Sequence, residues 1–280
     1  MTTDVPRLRL LVMVFATALV VRFGLHVFYT SPLISDAREY YINSEHLENK
    51  AQHFSYDHWY QRTPVYIAYL HCTGRSLAIQ IVLSALTCVL LELLYRHAGW
   101  VYALYLPGIA YANTYLKETL LVFLFVLAVY LLRNRKMWLV IVLPLIFAGF
   151  ISYGGVIAYN VAIATDASRS ISDKLYGLWR PEWNYLMLVE SPPYWLSWLL
   201  RGPFYLFYVP VMFLFVRKVT LVDFEAWLAI GISVVSIFSF GVERYREPVM
   251  PFIIGFVVPH ALTAYRAARE QVAHAIKPPG

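Results

Sequence analysis

The sequence predicts an all-α polytopic membrane protein with about eight transmembrane helices and short interfacial helices in its first outer loop. Three observations carry this. Of 280 residues, 60% are hydrophobic and 14% charged, whereas a soluble domain has roughly 45–50% and 25%. Apolar runs of roughly 17–25 residues recur along the whole length, each able to cross a bilayer as a helix. The basic residues gather at the ends of alternate runs, as cytoplasmic loops require. No stretch is long and polar enough for a separate soluble domain, so residues 1–280 read as a single integral membrane domain.

The first run, Leu8 to about Tyr29, is too long for a signal-peptide core and lacks a small-residue cleavage site, so it is expected to remain as a helix. A first long loop, 30–76, follows, and opens with SDAREYYINSEHL (Ser35 to Leu47), which reads as a short helix lying on the membrane. Residues 63–72 read either as a re-entrant or interfacial helix or as part of a span. Further spans are expected at about 77–96, 99–114, 118–132 and 138–154, with tight turns between them. Residues 155–165 are either the frayed top of the fifth span or a short outer helix within a second long loop, 155–202. The last spans are expected at about 203–217, 222–240 and 249–266.

The net charge of +6 is a topology signal. Arg7, Arg9, Arg96, Arg133, Arg135, Lys136, Arg217, Lys218, Arg266 and Arg269 fall on one side, which the positive-inside rule makes cytoplasmic, with both termini there. Both long loops and most acidic residues fall outside. No nucleic-acid partner is expected. Cys72 and Cys88 lie in apolar stretches and read as core thiols. The 22 tyrosines, 17 phenylalanines and 8 tryptophans read as interfacial belts, or as stacking surfaces for a sugar or an isoprenoid chain.

An unpaired charge is costly in hydrocarbon, so polar groups bordering the spans need a reason. Asp36 and Tyr40, at i,i+4 spacing, share one helical face just beyond the first span. A carboxylate at the water–lipid boundary suits a catalytic base, or is a solvated loop acid. Arg62 stands where the first loop returns to the membrane, ahead of Pro64 and Tyr66. Its guanidinium either snorkels or binds a phosphate oxyanion. Lys117 and Glu118, in the outer turn before the fourth span, form either a helix cap or a site. Arg244, Tyr245 and Arg246 lie outside against the positive-inside trend, so they meet an anionic partner or pair with Glu243 and Glu247. Arg22, in the outer half of the first span, must snorkel or face a polar cavity. Arg201, at the expected start of the sixth span, is a weaker member of the cation set. Phosphate-binding glycine loops, dinucleotide fingerprints and Asp-x-Asp sites are absent from the sequence, and His46, His53 and His58 have no zinc-ligand spacing. No metal site and no cofactor are expected.

Four stretches, in order, resemble the GT-C glycosyltransferases, multi-pass enzymes that use polyprenyl-phosphate sugars and include protein O-mannosyltransferases and the lipid A aminoarabinose transferase. ALVVRFGLHVFYTSPLISDAREYY joins a span carrying a late arginine to an Asp-x-x-x-Tyr segment. RTPVYIAYL looks like the family's Arg-Pro-Pro-x-Tyr re-entrant motif, with Thr63 in place of the first proline. YLKETLLVFLFVLAVYLL is similar to its glutamate-led fourth span, and GVERYREPVMPFII to a late Arg-Tyr-Arg-x-Pro segment. The chain would be a reduced member, with fewer spans. Ala37 stands where many members carry a second acid, which leaves a divalent metal open.

The resemblance implies transfer of a sugar from a polyprenyl-phosphate donor to an acceptor hydroxyl of a glycan, lipid or protein, on the extracytoplasmic side of the plasma membrane and with inversion. Asp36 would be the base. Arg62, Lys117, Arg244, Arg246 and Arg201 would hold the donor phosphate, with Tyr40, Tyr66, Glu118, Tyr245 and Arg22 in support. The alternatives are a polymerase or ligase of lipid-linked glycans, a flippase of lipid-linked sugars, and a non-catalytic membrane partner.

Overall fold

A computed structural model of the chain describes residues 5–28, 35–46, 64–134, 170–180, 194–237 and 246–276. Among these described residues every regular element is a helix. In chain order they are α1 (Val5–Phe28), α2 (Ser35–His46), α3 (Pro64–Cys72), α4 (Leu77–Leu94), α5 (Ala98–Ala103), α6 (Leu106–Ala112), α7 (Glu118–Arg133), α8 (Ile171–Trp179), α9 (Tyr194–Lys218), α10 (Phe224–Ile237) and α11 (Met250–Ile276). Among the described residues two segments, Arg7–Phe28 and Leu77–Leu94, are long and apolar enough to cross a bilayer, with mean hydropathy 2.1 and 2.3.

α4 is the centre of the bundle. It packs along α1 on one side and α7 on another, and α5 folds back against it. Ile81, Ala85, Cys88 and Leu91 recur at three- and four-residue spacing on its buried side. The main core continues through Val122, Val126 and Val129 of α7, Phe204, Tyr208, Val211 and Phe215 of α9, and Phe252 to Val258 of α11. A second, smaller cluster joins Ala37 and Tyr40 of α2 to Tyr66, Ile67 and Leu70 of α3, Tyr111 of α6, and Leu116.

Close approach is bought with glycine at two points. A side chain at Gly99 would meet the Cys88 carbonyl, and one at Gly255 would lie 2.5 Å from the Tyr95 ring. Both glycines let a neighbouring helix touch the backbone.

Several expected boundaries change. The third span, expected at 99–114, is instead the two short helices α5 and α6, broken at Leu104 and Tyr105. Pro107 is the reason: it has no N–H to give to the Ala103 carbonyl, and its ring would clash with that carbonyl in a continuous helix. Pro107 instead stands in the first turn of α6, where a proline is tolerated. The helix at the expected sixth span starts earlier, at Tyr194, so Arg201 lies inside α9 rather than at its start. The last helix runs past 266 to Ile276. The expected fifth span at 138–154 lies outside the described residues. The expected short helices on 35–47 and 63–72 correspond to α2 and α3.

One buried charge is explained by this fold. Glu92 lies inside the apolar run of α4, yet its carboxylate accepts the backbone N–H of His97 at 2.9 Å and of Gly99 at 3.2 Å. It thereby satisfies free donors at the start of α5, an arrangement that suits an anion.

Candidate functional site

Asp36 occupies the first turn of α2, where the helix dipole favours a carboxylate. Ala37, Tyr40 and Ser44 form the buried stripe of this helix, at three- and four-residue spacing, and Asp36 lies half-buried at its edge. Tyr40 meets Tyr66 of α3 edge-to-face, with ring centroids 4.9 Å apart. Tyr66 in turn stacks on Tyr69 at 5.7 Å. The two short helices are thus locked through aromatic rings, and the Tyr40 contact fixes which face of α2 turns inward.

Tyr66 is fully buried, and its hydroxyl donates to Gln80 Oε1 at 2.8 Å. The Gln80 amide nitrogen donates to the carbonyls of Tyr111 and Thr114. Gln80, near the start of α4, therefore ties α3 to the turn after α6. That turn leads to Lys117 and Glu118, which open α7 and are 7% and 4% exposed. Asp36, Tyr40, Tyr66, Lys117 and Glu118 are brought to one end of the bundle by these contacts.

The tyrosines here are held neutral. Burial pushes the Tyr66 hydroxyl well above its usual range, reinforced by Tyr69 and Glu118. Burial alone pushes Tyr69 up to about 12. Tyr115 is raised by burial and by Tyr41, with Arg75 opposing. These three tyrosines are donors at physiological pH and not bases, so in this cluster proton acceptance falls to a carboxylate.

Arg22 does not snorkel. It is fully buried, donates from Nε to Ser84 Oγ at 2.7 Å, and from a terminal nitrogen to the Ala103 carbonyl at 3.1 Å. It joins α1 to α4 and to the end of α5. Arg246 is also fully buried. Its Nη1 donates to the carbonyls of Leu178 and Arg180, and its guanidinium lies 4.4 Å from the Tyr208 ring centroid. Those carbonyls belong to the C-terminal end of α8, where helix carbonyls lack partners of their own. Arg246 is a strut between α8 and α11 and offers no surface to a ligand in this conformation. Its neighbour Glu247 lies 4.0 Å from Arg246 Nε and accepts the Tyr105 hydroxyl at 3.1 Å. Arg201 is half-buried on α9. Arg62, Arg244 and Tyr245 lie outside the described residues.

Sequence reasoning passed over Gln80, Thr119, Tyr102 and Tyr105. Gln80 carried a usable signal, a primary amide within an apolar run. Tyr102 and Tyr105 carried none, because tyrosine is abundant throughout. A small cavity of ≈10 Å³ lies inside the bundle, lined by Ser84, Thr87, Tyr102, Gly108, Glu118 and Glu247 among others. That volume has room for about one water.

At the opposite end, the Tyr95 hydroxyl donates to Glu225 Oε1 at 2.5 Å, and Arg133 reaches the same oxygen at 3.4 Å. The end of α4, the end of α7 and the start of α10 therefore meet at one level, away from Asp36.

No protein-family model matches the chain, and neither a curated protein nor a solved structure does.

Proposed function

We propose that the protein is a membrane glycosyltransferase of GT-C type, with about eight spans. It moves a sugar from a polyprenyl-phosphate donor to an acceptor hydroxyl on the extracytoplasmic face. The observation that carries this reading is the packing of α2 and α3 against the turn before α7. It gathers a half-buried carboxylate, Asp36, and a buried ammonium, Lys117, at the end of the bundle opposite the basic Arg133. A donor whose lipid lies in the bilayer would present its phosphate at this level.

In this reading Asp36 takes the proton of the acceptor hydroxyl. The acceptor oxygen attacks the anomeric carbon, the bond from that carbon to the phosphate oxygen breaks, and lipid phosphate leaves as an anion. A phosphate leaving group is already acidic, so it needs positive charge and not a general acid. Lys117, Arg201, Arg62 and Arg244 supply that charge. Arg246, tied to α8, holds the outer elements together. The apolar outer faces support a lipid surrounding. On α9, Leu206, Val209, Phe213 and Val216 are exposed in one stripe while Phe204, Tyr208, Val211 and Phe215 are buried in another. A helix apolar on both faces belongs in lipid or in a large core.

The test is Asp36→Asn, which keeps size but cannot accept a proton. Transfer from a polyprenyl-phosphate sugar is expected to fall by at least about 10²-fold, with donor binding and thermal stability retained. Unchanged turnover ends the base assignment. Turnover only with a lipid diphosphate donor moves the protein to the glycan polymerases.

A further inference from the structure

We propose that Arg75 binds the phosphate group of a lipid at the end of the bundle that carries Asp36, with the rings of Tyr41 and Tyr115 beside its guanidinium. These three residues take no part in the transfer chemistry above, and the contact does not require that Asp36 act as a base.

Arg75 lies in the link between α3 and α4. Gly74 and Arg75 both have left-handed backbone, with φ of 58° and 60°. This turn closes α3, since the Arg75 N–H reaches the Leu70 carbonyl at 2.7 Å. Glycine takes that conformation freely, whereas a side chain makes it costly. Arg75 also directly precedes Ser76, the N-cap of α4, and the first turn of α4 holds no acid. A cation at that end opposes the helix dipole. Both local effects disfavour an arginine here. A residue that stands against its own backbone points to a use beyond the fold.

The surroundings define that use. The guanidinium lies 5.5 Å from the centroid of the Tyr41 ring on α2, and Tyr115 meets the same ring edge-to-face at 5.1 Å. All three residues are half-buried. Among the described residues, no carboxylate pairs with Arg75 and no side-chain hydrogen bond takes up its N–H groups. Arg22, Arg133 and Arg246 differ, being bonded to carbonyls, hydroxyls or Glu225. An aromatic ring holds a guanidinium but leaves its donors open to another acceptor. The sequence also puts Arg75 in the first outer loop, where the positive-inside rule asks for no cation. The missing partner is therefore an anion, and it also removes the conflict with the dipole of α4. A guanidinium fork matches two oxygens of one phosphate. At a membrane boundary the abundant oxyanions are lipid phosphates, and they come from two sources. One is an isoprenyl phosphate, which would deepen the donor site proposed above, since Tyr41 lies about a turn and a half beyond Asp36 on α2. The other is a phospholipid headgroup of the bilayer.

The experiment measures lipid binding to the full-length protein in detergent by native mass spectrometry. The probes are an isoprenyl phosphate and phosphatidylglycerol, with isoprenol and diacylglycerol as their uncharged counterparts. At least one phosphate lipid is expected to bind more tightly than its counterpart. Arg75→Gln keeps a stem over Tyr41 but removes the charge and the fork, and is expected to weaken that binding by about 10- to 100-fold. Arg75→Gly removes the side chain and frees the backbone, and is expected to weaken binding equally with the apparent Tm retained. A loss for the isoprenyl phosphate alone places the donor at Arg75. A loss for phosphatidylglycerol alone places a bilayer phospholipid there, and a loss for both supports the shared phosphate contact. Equal affinity of the unaltered protein for charged and uncharged lipids overturns the proposal, as does unchanged affinity in both variants. If one variant does not fold, the other decides. If neither folds, Arg75 is a clamp onto α2 and the proposal fails. Asp36→Asn is expected to bind these lipids as the unaltered protein does, so a failed base assignment and a failed phosphate contact are read separately.

Discussion

Gln80 connects three elements through one side chain. Its carbonyl oxygen accepts the Tyr66 hydroxyl, and its nitrogen serves carbonyls of the turn that leads to Lys117 and Glu118. Removing it leaves the fully buried Tyr66 hydroxyl without a partner, at a cost of about 1–3 kcal/mol, and takes one donor from two carbonyls that keep bonds from Thr114 and Leu116. Gln80→Met, similar in volume, is therefore expected to lower stability by about 1–3 kcal/mol, read as a drop in apparent Tm. Adding Tyr66→Phe to that variant should cost little more, since the orphaned hydroxyl is then gone. Full additivity of the two changes would mean that the pair does not carry the coupling assigned to it. At this scale the sequence was partly legible. The i,i+4 pairing of Asp36 and Tyr40 follows from helical geometry alone, and α2 does bury Tyr40 while leaving Asp36 at the edge. The arginines were less legible. Arg22 was expected to snorkel or face a polar cavity, and Arg246 to meet an anionic partner or pair with Glu243 and Glu247; sequence reveals that a charge needs a partner but not that backbone carbonyls will serve.

Among the elements, α8 is the most dependent on others. It has nine residues, too few to be stable alone in water. Its N-terminus is closed by a capping box: Ser170 accepts the Asp173 N–H and the Asp173 carboxylate accepts the Ser170 N–H, each at 3.2 Å. Its C-terminus is held by Arg246 on the Leu178 and Arg180 carbonyls and by the Tyr208 hydroxyl on the Trp179 carbonyl at 2.9 Å. Trp179 also donates to Ser233 of α10 at 2.8 Å. Arg246→Lys keeps the positive charge but loses the rigid guanidinium plane that aims Nη1 at both carbonyls. Amide exchange over 171–179 is expected to quicken roughly 10- to 100-fold, matching a loss of about 1.5–3 kcal/mol, while α4 and α7 keep their protection. Unchanged exchange in α8 would show that the strut is dispensable. The capping box was readable as Ser-x-x-Asp before an apolar pattern, and the third span was misjudged for an equally readable reason. Hydropathy over 99–114 is continuous, but Pro107 breaks the backbone there, and local backbone chemistry prevails over apolar content.

Across the whole molecule the two ends of the bundle are chemically unlike. One carries Tyr95, Arg133 and Glu225, brought together from the ends of α4 and α7 and the start of α10. The other carries α2, α3 and the turn before α7, with Asp36, Lys117 and the tyrosine cluster. The positive-inside rule had put Arg133 on the cytoplasmic side from the sequence, and the fold gives that assignment a geometric consequence. If Arg133 faces the cytoplasm, Asp36 must face away from it, because α4 and α7 each run from one end to the other. Two exposed positions test this. Ser172 lies on α8 and Asn134 follows α7 directly, and both are open to solvent. With Cys72, the exposed native thiol, changed to serine, buried Cys88 should remain unreactive in the intact fold. A membrane-impermeant maleimide is then expected to label Ser172→Cys in intact cells, and to label Asn134→Cys only after the membrane is opened. Labelling of both from outside would place Arg133 and α8 on one side. Asp36 could then not occupy the extracytoplasmic surface where a lipid-linked sugar would wait, and the base assignment would fail with the topology that supports it.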